Sequence, residues 1–149
     1  QIVSLATAPA VAQVAAAPAG KPQAVFDGTI ELLEARPSAQ RAPAGATLTI
    51  ELLWRARQAA GEDLVIFVQA LDAGGRPVAL QERPAGPWVA GQIVAERREL
   101  ALPADTPAGA YRLIVGLFRA GNGARLPAAG WPRRDYGIIG KLAVETPAP

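Results

Sequence analysis

The 149-residue chain contains no cysteine, no histidine and no methionine. Without thiols no disulfide framework can form, and the redox state of the compartment leaves no mark on the sequence. The missing imidazole and thiolate exclude the common zinc, copper and iron–sulfur ligand sets, together with catalysis that runs through His or Cys. Serine occurs only at Ser4 and Ser38, and with no histidine a Ser-based triad is excluded as well. Lysine is nearly as scarce. Lys21 and Lys141 are the only two, and arginine supplies the rest of the 15 basic residues set against 13 acidic ones. That small excess is spread along the chain, pairs such as Arg97-Arg98 and Arg133-Arg134 read as solvated positions, and no basic stripe exists to follow phosphates. Nucleic-acid binding is not expected.

A chain with no methionine is expected to have lost something ahead of Gln1. A cleaved export signal is the simplest origin, and excision from a longer membrane protein is the next. The apolar stretch 2–17 is interrupted by Pro9 and falls short of the roughly 20 residues a bilayer requires, so no transmembrane segment is read. The expected location is extracytoplasmic: secreted, periplasmic or on the outer cell surface, in association with a membrane or envelope.

Half of the residues are hydrophobic, while 15 Gly and 14 Pro mark frequent chain reversals. Short apolar runs between many turns point to an all-β domain with a core large enough to fold without metal or disulfide. Residues 1–23 form an arm of Ala, Pro and Val, with prolines at 9, 18 and 22 that block a long helix and favour extended conformations. It is either a tether or a segment docked along another protein. Residues 24–146 form the domain proper, and 147–149 a tail.

Period-two alternation runs through that domain. Val25–Ala35 is the first strand. In Ala46–Ala56, Leu48, Ile50, Leu52 and Trp54 share one face with Thr47, Thr49 and Glu51 opposite. Asp63–Asp72 is apolar on both faces, as for a strand covered on both sides. The turn Asp72-Ala73-Gly74-Gly75-Arg76 sends Arg76–Glu82 back as a hairpin. A Pro/Gly-rich loop at 83–92 carries Trp88. In Ile93–Leu102, the run Glu96, Arg97, Arg98, Glu99 suggests a partly exposed strand near an edge. Ala110–Arg119 turns Tyr111, Leu113, Val115 and Leu117 inward, a long loop at Leu126–Tyr136 carries Trp131, and Gly137–Glu145 closes the domain. Seven or eight strands without a helix predict a two-sheet antiparallel β-sandwich with an extended N-terminal arm.

The stretch LPADTPAGAYRLIVGLF, Leu102–Phe118, resembles the corner that opens the penultimate strand of immunoglobulin- and fibronectin-III-like sandwiches. There Tyr111 would send its hydroxyl back to an upstream backbone group, with Gly109 easing the turn. More broadly, the succession FDGTIELL, LTIELLWRA, DLVIFVQALDAGGRPVA, PWVAGQIV, LALPADTPAGAYRLIVGLF and ARLP is similar to the extracytoplasmic sandwich domain found C-terminal to multi-spanning bacterial glycosyltransferases of the dolichyl-phosphate-mannose transferase type. That domain also occurs detached from the enzyme. The chain departs from it at Gln69, where the family often has His, and at Glu82, where it often has Asp. Because glycosyl transfer takes place in the membrane part of such proteins, the resemblance implies no catalytic residue.

The residues themselves offer no catalytic set, since pairs such as Glu62-Asp63 or Glu96 with Glu99 read as solvated strand ends, not as two acids facing one cleft. No enzyme, cofactor or metal is expected. Turn aspartates Asp27, Asp72 and Asp105 read as groups that bond their own backbone in preference to calcium. The candidate contacts for a ligand or partner are Trp88, Trp131, Tyr136, Arg133 and Arg134, with Arg83 and Asp135 nearby. Sugar faces stack on exposed aromatic rings, and guanidinium groups supply hydrogen bonds. The competing reading makes the loop tryptophans plugs over the end of the sandwich, and Trp54 belongs to the core. The expected function is a non-catalytic accessory module with protein partners in a membrane or envelope complex. The alternatives are a carbohydrate-binding module and a filament subunit joined through its arm.

Overall fold

A computed structural model of the chain describes residues 11–13, 21–60, 62–129 and 134–146. The described residues form ten strands: β1 (Val11–Gln13), β2 (Ala24–Phe26), β3 (Ile30–Pro37), β4 (Arg41–Pro43), β5 (Thr47–Ala56), β6 (Leu64–Leu71), β7 (Pro77–Pro84), β8 (Ile93–Ala101), β9 (Gly109–Arg119) and β10 (Gly137–Glu145). They build two five-stranded sheets, ordered β1-β8-β5-β3-β2 and β4-β10-β9-β6-β7. The all-β sandwich expected from the alternation is the fold observed.

Three short strands raise the number above the seven or eight expected. The first expected strand divides because Asp27 and Gly28 both adopt positive φ, 51° and 68°, and fold β2 back on β3. β4 enters the second sheet beside β10 in parallel, which departs from a wholly antiparallel arrangement. β1 belongs to the arm and pairs antiparallel with β8, Val11 opposite Glu96 and Gln13 opposite Val94. Residues 1–10 and 14–20 of the arm and the tail 147–149 lie outside the described residues.

The core lies between the sheets. Leu48, Ile50, Leu52 and Trp54 of β5 are all buried, facing Leu113, Val115 and Leu117 of β9 and Ile66, Val68 and Ala70 of β6. Each of the Leu, Ile and Val side chains contributes about 1.5–3 kcal/mol on leaving water. Trp54 packs between Phe26 and Trp88, with ring centroids 6.1 and 5.8 Å away. At the opening of β9, the Tyr111 hydroxyl donates a 2.6 Å hydrogen bond to the Pro107 carbonyl. Gly109 just before it has φ 151°, a region that side chains disfavour.

β8 corrects the sequence reading. Glu96 and Arg98 do not lie on a partly exposed face; they point into the sandwich with Val94 and Leu100, and Arg98 is 0% exposed. The strand alternates strictly, so of its four charged residues only Arg97 and Glu99 face solvent. The interior tolerates the pair because its polar atoms are matched. Arg98 donates through Nε to Glu96 Oε1 and through Nη2 to Glu96 Oε2, both at 3.2 Å. Its Nη1 reaches Gln81 Oε1 of β7 at 2.9 Å and the Ile66 carbonyl at 3.4 Å. Trp54 Nε1 donates to Glu96 Oε1 at 3.0 Å. Burial lowers the Arg98 pKa while Glu96 pulls it back up; the ion pair lies within β8, and the hydrogen bond from Arg98 to Gln81 reaches across to β7.

Candidate functional site

The outward face of the second sheet collects the groups best placed to meet a ligand. β6 is apolar on both sides. Its inward residues join the main core, while Phe67 and Leu71 point outward and form a second cluster with Ile114 of β9, flanked by Phe118 and Tyr136. Gly116 makes room for this cluster. A Cβ there would stand 2.4 Å from Phe67 Cζ and 3.0 Å from the Asp135 carbonyl, so the Phe67 ring lies directly over the backbone of β9. Arg125 covers the ring from above, its guanidinium carbon 4.3 Å from the centroid, and pairs with Asp135 at 3.3 Å. Gln69 stands on this face opposite Leu80, and Glu82 opposite Phe67. Gln69 is buried, whereas Leu80 is 52% exposed. Gln69 and Glu82 therefore share one surface.

Farther along the same face the chemistry changes. A hollow of about 550 Å³ opens where β9, β10 and β4 run beside the turn after β6. Arg112 and Lys141 are direct cross-strand partners, and Arg41 stands opposite Ala143, the next outward residue of β10. Ala73, Ala110 and Ala143 keep the floor low, while Gln40 and Asp72 reach the hollow from its rim. Asp72 Oδ1 accepts from the amides of Gly74 and Arg76, both at 2.9 Å, which fixes the carboxylate in its own turn. Arg41 pairs with Glu145 at 3.5 Å, and both side chains are largely exposed. Among the described residues Arg112 and Lys141 have no carboxylate partner.

A second cavity, about 530 Å³, lies at one end of the sandwich, where Trp88 and Leu126 meet Asp27, Glu62, Asp63 and Arg119. Arg119 reaches Asp27 at 3.7 Å. Among the described residues no group of three or more acidic side chains is placed to hold a metal ion.

The residues singled out from the sequence are dispersed. Trp88 is 5% exposed and packs on Trp54, held there by paired backbone hydrogen bonds with Ala60, so it closes the end of the sandwich and offers no open ring face. Tyr136 is half-buried beside the Phe67 cluster, with the Arg134 guanidinium carbon 5.9 Å from its ring centroid. Trp131 and Arg133 lie outside the described residues. The hollow was missed because Arg41, Arg112 and Lys141 are far apart in sequence, and only strand register brings them together.

No protein family matches the sequence, and no curated protein does. Among solved structures, the crystal structure of the C-terminal domain of Wzt is similar, with a TM-score of 0.54 at 12% identity, covering 84% of this chain and 78% of that one. β-Glucosidase from Listeria innocua in complex with glucose gives a TM-score of 0.43 at 18% identity, and this chain covers only 17% of it. The first likeness supports the sandwich fold. The comparisons do not extend to the glycosyltransferase-associated family.

Proposed function

We propose that this chain is a non-catalytic interaction module that works outside the cytoplasm as an accessory to a membrane-protein complex or envelope assembly. The observation that carries this reading is the pairing of Val11–Gln13 with β8. An apolar arm adds a strand to the margin of the first sheet, so β8 has the hydrogen-bonding geometry that strand addition between proteins uses. The similar Wzt structure is a C-terminal domain, which agrees with a sandwich appended to larger machinery. The full chain is expected to co-sediment with envelope membranes, and a chain lacking residues 1–23 to lose that association. Equal sedimentation of the two removes the arm from the contact, and no sedimentation of either removes the module reading. Exchange of arms between copies, the filament alternative, requires a particle size that grows with concentration.

A different observation favours a second reading, glycan binding. The hollow on the second sheet combines guanidinium and ammonium donors, an amide, a carboxylate and a small-residue floor within one cavity of ligand size. In this form the reading no longer depends on Trp88. Screening the chain against an oligosaccharide array tests it.

A further inference from the structure

We infer that the hollow on the outer face of the second sheet holds the acidic group of a short anionic oligosaccharide, a proposal that rests on the glycan-binding reading. The argument starts from a cost. Like charges placed directly across two strands repel, and Arg112 and Lys141 stand in that relation. Arg41 adds a third cation one residue pair along, beside Ala143. Elsewhere several exposed arginines are placed against acids, among them Arg36 with Glu34, Arg97 with Glu51, Arg119 with Asp27 and Arg125 with Asp135, although exposed Arg76 has no such partner among the described residues. At the hollow Glu145 serves Arg41 and Asp72 is tied to its own turn, so Arg112 and Lys141 have no carboxylate partner among the described residues. A carboxylate or phosphate seated between Arg112 and Lys141 converts the repulsion into two charge-assisted hydrogen bonds.

The shape and the opposite rim decide what carries that acid. From Arg41 on β4, across β10 and β9, to Asp72 after β6 is three strand spacings, about 14 Å. That span is too long for a bare oxyanion and suits a short chain of sugar rings. Asp72 would repel an isolated anion, yet with Oδ1 committed to its own turn, its other oxygen remains to accept from a sugar hydroxyl. Gln40 can both donate and accept. A ligand with an acid at one end and hydroxyls at the other satisfies both halves of the site.

The test uses the full chain on an array of neutral, uronate-bearing and phosphate-bearing oligosaccharides, with inorganic phosphate as competitor. Members bearing an acid should bind, and Arg112→Gln and Lys141→Gln should each weaken them by about tenfold, the loss of one charge-assisted hydrogen bond. The uronate and phosphate members report which acid is preferred. Because the chain has only two lysines, ¹⁵N-lysine labelling resolves the site directly: the Lys141 amide should shift on binding and the Lys21 amide should not. Binding confined to neutral glycans would overturn the anionic assignment and leave the glycan reading intact, whereas binding to none overturns both. An unmoved Lys141 amide, or displacement by inorganic phosphate at the same concentration as by the glycan, also overturns the proposal.

Discussion

Arg98 and Arg112 lie on adjacent layers of the same sandwich and face opposite problems. Arg98, sealed between the sheets, has a bidentate partner in Glu96 and further acceptors in Gln81 and the Ile66 carbonyl. Arg112, on an open surface, stands beside Lys141 without a carboxylate partner among the described residues. Inside, an unmatched charge would cost several kcal/mol, so the fold supplies every partner. Outside, water screens the repulsion, and an unmatched pair is tolerable. The placement of acids separates structural arginine from arginine available to a ligand.

The interior half of that comparison predicts the largest effect. Arg98→Met leaves Glu96 charged and buried, with Trp54 Nε1 as its remaining donor. Unfolding in urea should show a loss of about 3–5 kcal/mol, the cost of breaking a buried pair from one side. The double variant Glu96→Gln/Arg98→Met removes both charges and keeps an acceptor for Trp54, so it should recover most of the loss. If the single variant proves as stable as the parent chain, the ion pair is not integral to the interior.

β5 and β8 differ in how far their sequences disclosed them. In β5, Leu48, Ile50, Leu52 and Trp54 repeat on one face against polar residues, and burial follows the repeat without exception. β8 obeys the same period, but the consecutive charges Glu96, Arg97, Arg98 and Glu99 suggest solvent. Val94 and Leu100 fix the inward face on which Glu96 and Arg98 also fall. The signal was present in the spacing, and residue type concealed it. Trp88 was legible only as two readings, an open ring for a ligand or a plug over the sandwich end, and its packing on Trp54 and pairing with Ala60 make it the plug. The hollow could not be read at all, because pairing Lys141 with Arg112 is a matter of register between strands, and composition does not encode register.

A third arrangement sharpens the contrast from the first sheet. Glu31 of β3 is buried on the outward face, where Arg55 Nε donates to Oε1 and Arg57 Nη2 donates to Oε2 at 2.9 Å. The hydrogen bond from Arg55 is the chief reason its pKa lies below 4.5; burial opposes the shift, and Arg57 reinforces it. A carboxyl whose folded pKa is depressed adds stability above its unfolded pKa, near 4.5, and loses it as pH falls through the lower folded value. Glu31→Gln should therefore cost about 1–3 kcal/mol at pH 7, in the range of hydrogen bonds to charged groups. The gap between variant and parent should close as pH is lowered below 4.5, as followed by urea unfolding at a series of pH values. A gap that persists in strong acid would assign the effect to packing.

The smallest effect carries the opposite sign and returns to the open surface. If Arg112 and Lys141 are held together at a cost, Lys141→Ser should stabilise the unliganded chain by about 0.2–1 kcal/mol, the range for cross-strand pairs. The side chain is exposed, so little packing is lost and the gain should come from relieved repulsion. It should then shrink as salt is raised from about 0.01 M to 1 M, where the screening length falls from about 30 to 3 Å. Thermal unfolding across that range measures it. A gain that ignores salt would trace to strand propensity, since serine and lysine differ there too. A loss would mean that Lys141 already has a structural partner, and the surface would then resemble the interior, with its cations spoken for.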